Sequence, residues 1–153
     1  RWFCGFADRR NVCLRENEDH TDKGRERVML LLAIVDDDPN DSSALSALVA
    51  EYFKKNNRAY MFRVFNTSMD FIRSTENYDI VFMDIEMEDL DGMSAAKLLR
   101  ERDKSVTLIF VTNMAQLAIK GYEVDALDFI VKPLRQHRAG KHGVHIALII
   151  RLM

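Results

Sequence analysis

Five side chains with complementary chemistry follow four apolar segments of this 153-residue chain. The segments LLLAIV, IVFM, VTLIFV and LDFIV are followed, in that order, by Asp36 and Asp37, by Asp84, by Thr112, and by Lys132. Three close carboxylates repel one another, and Mg²⁺ relieves that repulsion while leaving coordination positions for phosphate oxygens. The lysine and the threonine could hold the other oxygens of a phosphoryl group, and the central carboxylate would be the nucleophile that forms an aspartyl phosphate.

Each of these side chains also has an ordinary structural interpretation. The acids of Asp36–Asp38 could cap the next helix, because Pro39 suits its first position. Thr112 could cap a later helix, and a lysine beside a proline is most often a surface residue. If all of these structural interpretations were correct, four unrelated polar residues would have to stand by coincidence at the ends of successive segments. The sequence therefore favours one shared site.

The apolar segments that precede these residues are predicted to be buried strands. Three of them are nearly continuous apolar runs, which is typical of strands covered on both faces in a parallel sheet. The five predicted strands are Leu30–Val35, Tyr60–Phe65, Ile80–Met83, Val106–Val111 and Leu127–Val131.

Helix signals alternate with these strands. The first helix has Asp38 as its N-cap and Pro39 as its first residue, and its apolar side chains recur at helical spacing. Shorter helices are predicted at Ser68–Thr75, Met93–Arg102 and Asn113–Gly121, the last closed by a glycine suited to the left-handed cap. This alternation predicts an α/β fold with a doubly wound parallel sheet, whose functional site lies at the carboxyl ends of the strands.

Four motifs give the chain a resemblance to a known family across roughly residues 29–133. AIVDDDP, IVFMDIEMEDLDG, LIFVTN and ALDFIVKP, in this order, resemble the receiver domain of bacterial response regulators, which act in two-component phosphorelay signalling. The stretch FVTNMAQLAIKGYEVDALDFIVKP is similar to receivers that precede LytTR-type DNA-binding domains. The resemblance implies a flavodoxin-like fold with strand order 2-1-3-4-5.

The resemblance also implies roles for the acids. Asp84 is the phosphoacceptor, which takes a phosphoryl group from a sensor histidine kinase. Asp36 and Asp37 form the acidic Mg²⁺ pocket, with Asp37 the more direct ligand. Asp84 and the backbone carbonyl of Glu86 complete the metal ligands.

The remaining implied roles concern phosphoryl binding and switching. Thr112 and Lys132 bind the phosphoryl oxygens, and the Lys132–Pro133 peptide bond is cis. Thr112 and Phe129 are the switch residues, which shift the surface of the fourth helix and the fifth strand. That surface is also a candidate homodimer interface.

The loop FMDIEMEDLDG places five acids within eight positions, from Asp84 to Asp91. Its other acids are expected to have no catalytic role. Glu88, Asp89 and Asp91 are most simply solvated loop residues, with Asp91 and Gly92 turning the chain into the third helix.

The two ends of the chain differ from the middle. Residues 1–27 are predicted to be a disordered or non-native extension, and residues 28–133 the receiver domain. Residues 134–153 form an atypical tail in place of the fifth helix, because Gly140 and Gly143 interrupt it and each costs about 1 kcal/mol in a helix. A truncated or frame-shifted gene product is the hypothesis for this tail.

Composition excludes several function classes. Lys and Arg number 22 and Asp and Glu 24, so we expect no direct nucleic-acid binding by this chain. No apolar run approaches the roughly 20 residues of a membrane span. With only Cys4 and Cys13, a disulfide-stapled secreted domain is not indicated, and a cytoplasmic location is expected.

Two alternatives remain open from the sequence. The chain could be a fragment of a LytTR-type transcriptional regulator that lacks its DNA-binding domain and is not competent for phosphorylation. It could also be a hydrolase with an aspartyl-phosphate intermediate, which needs a second acid/base carboxylate near Asp84. The expected outward orientation of Glu86 disfavours this, so no enzyme is predicted beyond a domain that catalyses its own phosphorylation and dephosphorylation.

Overall fold

Five parallel strands form the centre of the structure in the predicted order. The computed structural model describes residues 2–4 and 29–134, and only the backbone of residues 2–4 and 118–120. The sheet has the order β1-β3-β2-β4-β5-β6, in which β2 to β6 pair in parallel. Its strands are β1 (Trp2–Cys4), β2 (Leu30–Val35), β3 (Tyr60–Phe65), β4 (Ile80–Met83), β5 (Thr107–Thr112) and β6 (Asp128–Val131). Counted from β2, this is the order 2-1-3-4-5, so the flavodoxin-like prediction is confirmed.

Strand β1 corrects the prediction for the beginning of the chain. Trp2–Cys4 pair antiparallel with Met61–Arg63 of β3, where an unstructured extension was predicted. Without β1, β3 would be an edge strand with unpaired N–H and C=O groups. Three residues are too few to show strand periodicity, so no pattern in the sequence indicated this pairing. The rest of the predicted extension lies outside the described residues, and its disorder stays a prediction.

Three α-helices and one 3₁₀ helix connect the strands in the described part of the chain. They are α1 (Pro39–Lys55), α2 (Ser68–Arg73), α3 (Gly92–Arg102) and a 3₁₀ helix at Ala115–Val124. The predicted start of α1 is confirmed, because the Asp38 side chain accepts a hydrogen bond from the Asn40 N–H at 2.8 Å.

The fourth helix differs from its prediction in type and in its end. An ordinary helix closed by Gly121 was expected, but the 3₁₀ helix continues to Val124 and Asp125 is the left-handed residue, with φ 49°. Aspartate tolerates this conformation because its short polar side chain can bond locally. The Ala126 N–H closes the turn on the carbonyl of Gly121 at 3.1 Å.

Both faces of the sheet are covered, which explains the continuous apolar strands. Along β2, Leu32 and Ile34 pack in the cluster that contains the apolar side chains of α1, whereas Ala33 and Val35 pack on the face of α2 and α3. Because side chains fill both faces, the polar residues that follow the strands gather at the carboxyl rim of the sheet.

The structure describes the predicted receiver domain to its end at residue 133, and one residue of the predicted tail beyond it. Leu134 is buried, but the remainder of the predicted tail lies outside the described residues, so an atypical fifth helix stays a prediction. In the described part of the chain, no helix is both long and apolar enough to cross a membrane.

Arg100 ties the end of α3 to the end of the 3₁₀ helix. Its guanidinium donates hydrogen bonds to the carbonyl oxygens of Val106 at 2.7 Å, Val124 at 2.7 Å and Asp125 at 2.9 Å. One side chain therefore binds a carbonyl that precedes β5 and two carbonyls at the end of the 3₁₀ helix.

Replacement of this arginine tests that role. Arg100→Met keeps an apolar stem but leaves the carbonyls without their donors, so we expect the free energy of unfolding to fall by about 2 kcal/mol in urea denaturation. The control Arg73→Met changes an exposed arginine at the end of α2 and should stay within about 0.5 kcal/mol of wild type. Equal losses in the two variants would contradict the role of Arg100.

Candidate functional site

The ends of β2 and β4 bring the first acids together. Val35 and Met83 are register partners, so Asp36 and Asp84, which follow them, stand side by side. The Asp84 N–H donates to the carbonyl of Val35 at 2.9 Å, and the Asp36 N–H donates to the carbonyl of Phe65 at 3.0 Å. Backbone pairing between parallel strands therefore places two carboxylates at one point of the rim.

Asp36, Asp37 and Asp84 form a compact acidic cluster. Each offers a carboxylate oxygen, and these oxygens all lie within 4.8 Å of one another. Asp36 and Asp84 are buried, and Asp37 is half-buried. Carboxylate oxygens at this spacing could hold a small divalent cation such as Mg²⁺.

Lys132 stands at the centre of this cluster. Its Nζ lies 2.6 Å from Asp84 Oδ2 and 2.9 Å from Asp36 Oδ2, and all three side chains are almost completely buried. The Lys132 N–H donates to the carbonyl of Thr112 at 3.0 Å, so the end of β6 holds the lysine in place. The predicted cis peptide bond between Lys132 and Pro133 is present.

A fourth carboxylate, Asp41, was not predicted to belong to the site. Its Oδ2 lies 2.8 Å from Lys132 Nζ, and its side chain is 30% exposed. Asp41 lies in the first turn of α1, one helical turn after Asp37. That spacing was a signal in the sequence, but acids at a helix N-terminus are common because they favour the helix dipole.

Burial and ion pairing shift two pKa values in the cluster. Burial raises the pKa of Asp36 from 3.8 to about 6, against the opposing effects of hydrogen bonds from Lys132 and from the Asp38 N–H. Burial also acts to lower the pKa of Lys132, but hydrogen bonds to Asp41, Asp84 and Asp36 outweigh it and raise that pKa above 10.5. Lys132 is therefore positively charged at neutral pH.

Backbone amides hold the carboxylates of Asp84 and Asp37. Asp84 Oδ1 accepts hydrogen bonds from the N–H groups of Ile85 at 2.6 Å and Glu86 at 3.2 Å. Asp37 Oδ2 accepts one from the Glu88 N–H at 3.1 Å. The loop after β4 is thus built around both acids, while the side chain of Glu86 is exposed.

Two further acids of this loop have structural roles: Asp89 corrects the prediction of simple solvation, whereas Asp91 leads into α3 as predicted. Asp89 accepts hydrogen bonds from the N–H groups of Ser68 at 3.3 Å and Met69 at 2.8 Å, at the start of α2. Asp91 caps α3 and accepts from the Ser94 N–H at 3.0 Å. Asp89 and Asp91 therefore anchor the loop that leads from Asp84 into α3.

Gly92, the first residue of α3, passes close to the backbone of Asp84. A Cβ atom at this position would collide with the carbonyl oxygen of Asp84 and would lie 2.9 Å from the Cα of Ile85. The Gly92 N–H donates to the Ile85 carbonyl at 2.9 Å. Only glycine permits this approach, a requirement that the sequence did not reveal.

The predicted switch residues lie on β5 and β6. Thr112 is fully buried at the end of β5, and its Oγ1 accepts a hydrogen bond from the Met114 N–H at 3.3 Å. Phe129 is half-buried on β6, where it is the register partner of Phe110, with 6.0 Å between the two ring centroids. Thr112 therefore lies at the carboxylate rim, whereas Phe129 lies further back along the sheet.

Comparison with known proteins decides the family. Residues 32–142, more than half of the chain, match the response regulator receiver domain. The chain belongs to this family. The resemblance inferred from the motifs is confirmed, and this receiver domain is of the kind found in response regulators of two-component systems.

The receiver domain is similar to a longer curated protein. It is 32% identical over 120 residues to the sensory transduction protein LytR of Staphylococcus saprophyticus, and the match covers 75% of this chain and 45% of that relative. The chain therefore spans less than half the length of this relative.

Two solved structures share the fold of this receiver domain. The response regulatory domain of mrkE from Klebsiella pneumoniae has a TM-score of 0.66 at 21% identity, covering 80% of this chain and 93% of that one. The response regulator TrrA from Thermotoga maritima, in complex with Mg²⁺-BeF, has a TM-score of 0.63 at 21% identity. The match covers 82% of this chain and 100% of TrrA.

Substitution of the two described glycines tests the close approach at Gly92. Gly92→Ala should lower the free energy of unfolding by about 3 kcal/mol, because the collision displaces the Asp84 backbone. Gly121→Ala is the matched control, since a Cβ there meets its nearest neighbour at 3.6 Å, and its stability should be unchanged or slightly higher. Urea denaturation measures both, and a Gly92→Ala protein as stable as wild type would contradict the collision.

The raised pKa of Asp36 predicts a pH-dependent stability without divalent ions. The folded protein binds the proton of the Asp36 carboxyl group more tightly than the unfolded chain does. The contribution of Asp36 to the free energy of unfolding therefore falls as pH rises from 3.8 through about 6. Relative to wild type, Asp36→Asn should therefore gain about 1 kcal/mol of stability between pH 5 and pH 7.5 in EDTA. A stability difference that is constant across this range would contradict the raised pKa.

Proposed function

We propose that this receiver domain accepts a phosphoryl group on Asp84, in a Mg²⁺-dependent reaction with a sensor histidine kinase. The observation that carries the proposal is the contact of 2.6 Å between Lys132 Nζ and Asp84 Oδ2, inside the cluster completed by Asp36 and Asp37. A carboxylate held beside a buried ammonium and two further acids is a suitable nucleophile for phosphoryl transfer, which depends mainly on positioning and charge neutralisation.

The carboxylates of Asp36, Asp37 and Asp84 and the backbone carbonyl of Glu86 would hold the metal ion. Oxygen ligands of this kind are those that Mg²⁺ prefers, and the spacing of the carboxylates fits one ion. When bound, Mg²⁺ supplies neutralisation of the negative charge on the acids and on the phosphoryl oxygens. The complex of TrrA with Mg²⁺-BeF supports the same chemistry here by analogy of fold.

The residues of the chain divide the transfer step between them. An Asp84 oxygen attacks the phosphorus, the P–N bond to the donor imidazole breaks, and the bonding pair stays on the imidazole nitrogen, which takes a proton from solvent. The Ile85 and Glu86 amides keep the Asp84 carboxylate in position. Lys132 and the Thr112 hydroxyl then bind phosphoryl oxygens.

The proposal extends to the surface formed by the 3₁₀ helix and β6, the predicted fourth helix and fifth strand. Movement of Thr112 toward the phosphoryl group and reorientation of Phe129 would shift a pre-existing equilibrium at this surface. Tyr122, Leu127 and Val131 are exposed on it, and such side chains suit binding to a partner or to a second copy of the domain.

The output of the whole protein belongs to the proposal too. The resemblance to receivers that precede LytTR-type modules supports a DNA-binding output outside this chain, and the matched region covers only 45% of the relative LytR. Within this proposal, phosphorylation of the receiver domain controls the output of the whole protein. The domain itself catalyses only its own phosphorylation and dephosphorylation.

Incubation with Mg²⁺ and acetyl phosphate tests the proposed function. The intact protein should gain the mass of one phosphoryl group, and the modified peptide should contain Asp84. EDTA should abolish the gain, and Asp84→Asn should prevent it because the amide is not a nucleophile. A gain that persists in Asp84→Asn would contradict the assignment.

A further inference from the structure

Carboxylates engage all three N–H donors of the Lys132 ammonium group. Its partners are Asp84 Oδ2 at 2.6 Å, Asp41 Oδ2 at 2.8 Å and Asp36 Oδ2 at 2.9 Å. Lys132 can therefore bind a phosphoryl oxygen only after one of these carboxylates releases it.

Asp41 is the partner that Lys132 can release most easily. Asp36 is almost fully buried, and removing its partner would leave a buried charge uncompensated, which is strongly unfavourable. The side chain of Asp41 is 30% exposed, so water can solvate its carboxylate once the ion pair opens. Asp84 must stay near the lysine because it is the residue that receives the phosphoryl group.

Helix α1 holds Asp41 in this competing position. The helix begins at Pro39 under the Asp38 cap, and the Ser42 hydroxyl donates to the Pro39 carbonyl at 3.2 Å. Leu45 and Val49, further along the helix, are buried in the core. Helix α1 therefore holds the backbone of Asp41 at the rim, within reach of Lys132.

We propose that Asp41 is a positioning residue that competes with the phosphoryl group for Lys132 and thereby slows phosphorylation of Asp84. This inference rests on the proposed function. The Asp41 carboxylate acts in two ways: it occupies a lysine donor that the phosphoryl oxygen needs, and its negative charge repels the anionic phosphodonor. The same charge strengthens Mg²⁺ binding, because it adds to the negative potential of the cluster.

Removal of the Asp41 charge should raise the rate of phosphorylation and lower the affinity for Mg²⁺. Asp41→Asn should raise the initial rate of phosphorylation by acetyl phosphate about two- to tenfold at saturating Mg²⁺, since the ion pair that is lost is partly exposed and of modest strength. The bond that forms joins Asp84 to phosphorus, and the bond that breaks releases acetate with the electron pair. The affinity for Mg²⁺, measured by titration without phosphodonor, should fall about twofold.

Two variants isolate the position of the charge. Glu51→Gln removes one negative charge from an exposed site on the same helix, far from its first turn, and should leave both the rate and the Mg²⁺ affinity unchanged. Asp41→Ala removes the Asp41 charge and introduces alanine, which favours a helix, so it should behave as Asp41→Asn does. Agreement between the two variants excludes a folding defect specific to asparagine as the cause. A residue that only stabilises α1 would shift the melting temperature without opposite changes in rate and affinity.

The outcomes separate this inference from the function on which it rests. If wild type is phosphorylated on Asp84 but both Asp41 variants react at its rate or more slowly, Asp41 does not compete for Lys132 and the inference is overturned alone. If wild type shows no phosphorylation that depends on Asp84, the proposed function fails and the inference fails with it.

Discussion

The ammonium group of Lys132 is the interaction on which the rim of this receiver domain depends. One buried lysine lies within hydrogen-bond distance of three carboxylates, and a fourth acid, Asp37, lies in the same cluster. Without a cation at this place, several acids would face one another in a partly desolvated environment, which is costly. The excess of negative charge over the single lysine explains why the site suits a divalent metal and a phosphoryl group together.

The parallel sheet makes this concentration of charge possible. Its strands are buried on both faces, so polar residues are tolerated only where the strands end, and parallel strands end at the same rim. The surrounding loop then fixes the detailed geometry. Asp89 binds the start of α2, Asp91 caps α3, and Gly92 allows α3 to begin against the carbonyl of Asp84.

Much of this arrangement follows from the sequence, because strand ends and their closing residues are local features. The five strands, the cap of α1 by Asp38 and the convergence of Asp36, Asp84 and Lys132 were all predicted. The contact of Asp41 with Lys132 was not, because it joins residues from opposite ends of the domain and an acid in a first helical turn already has a local explanation.

Other features escaped prediction for related reasons. The close approach at Gly92 depends on the distance between two backbone segments, which composition does not record. The hydrogen bonds of Asp89 cross from one loop to another helix, so a solvated acid was the simpler interpretation of its sequence context. The three residues of β1 were too few to carry a pattern, although pairing with β3 gives them a place in the sheet.

A crystal structure of the chain with Mg²⁺ and beryllofluoride tests the role of this rim most directly. The predicted result is beryllofluoride bonded to an Asp84 oxygen, Mg²⁺ held by Asp36, Asp37 and Asp84, and Lys132 bound to a fluorine atom after leaving Asp41. A structure in which both ions bind elsewhere, or in which neither binds at the rim under saturating conditions, would contradict the assignment of Asp84 as the phosphoacceptor.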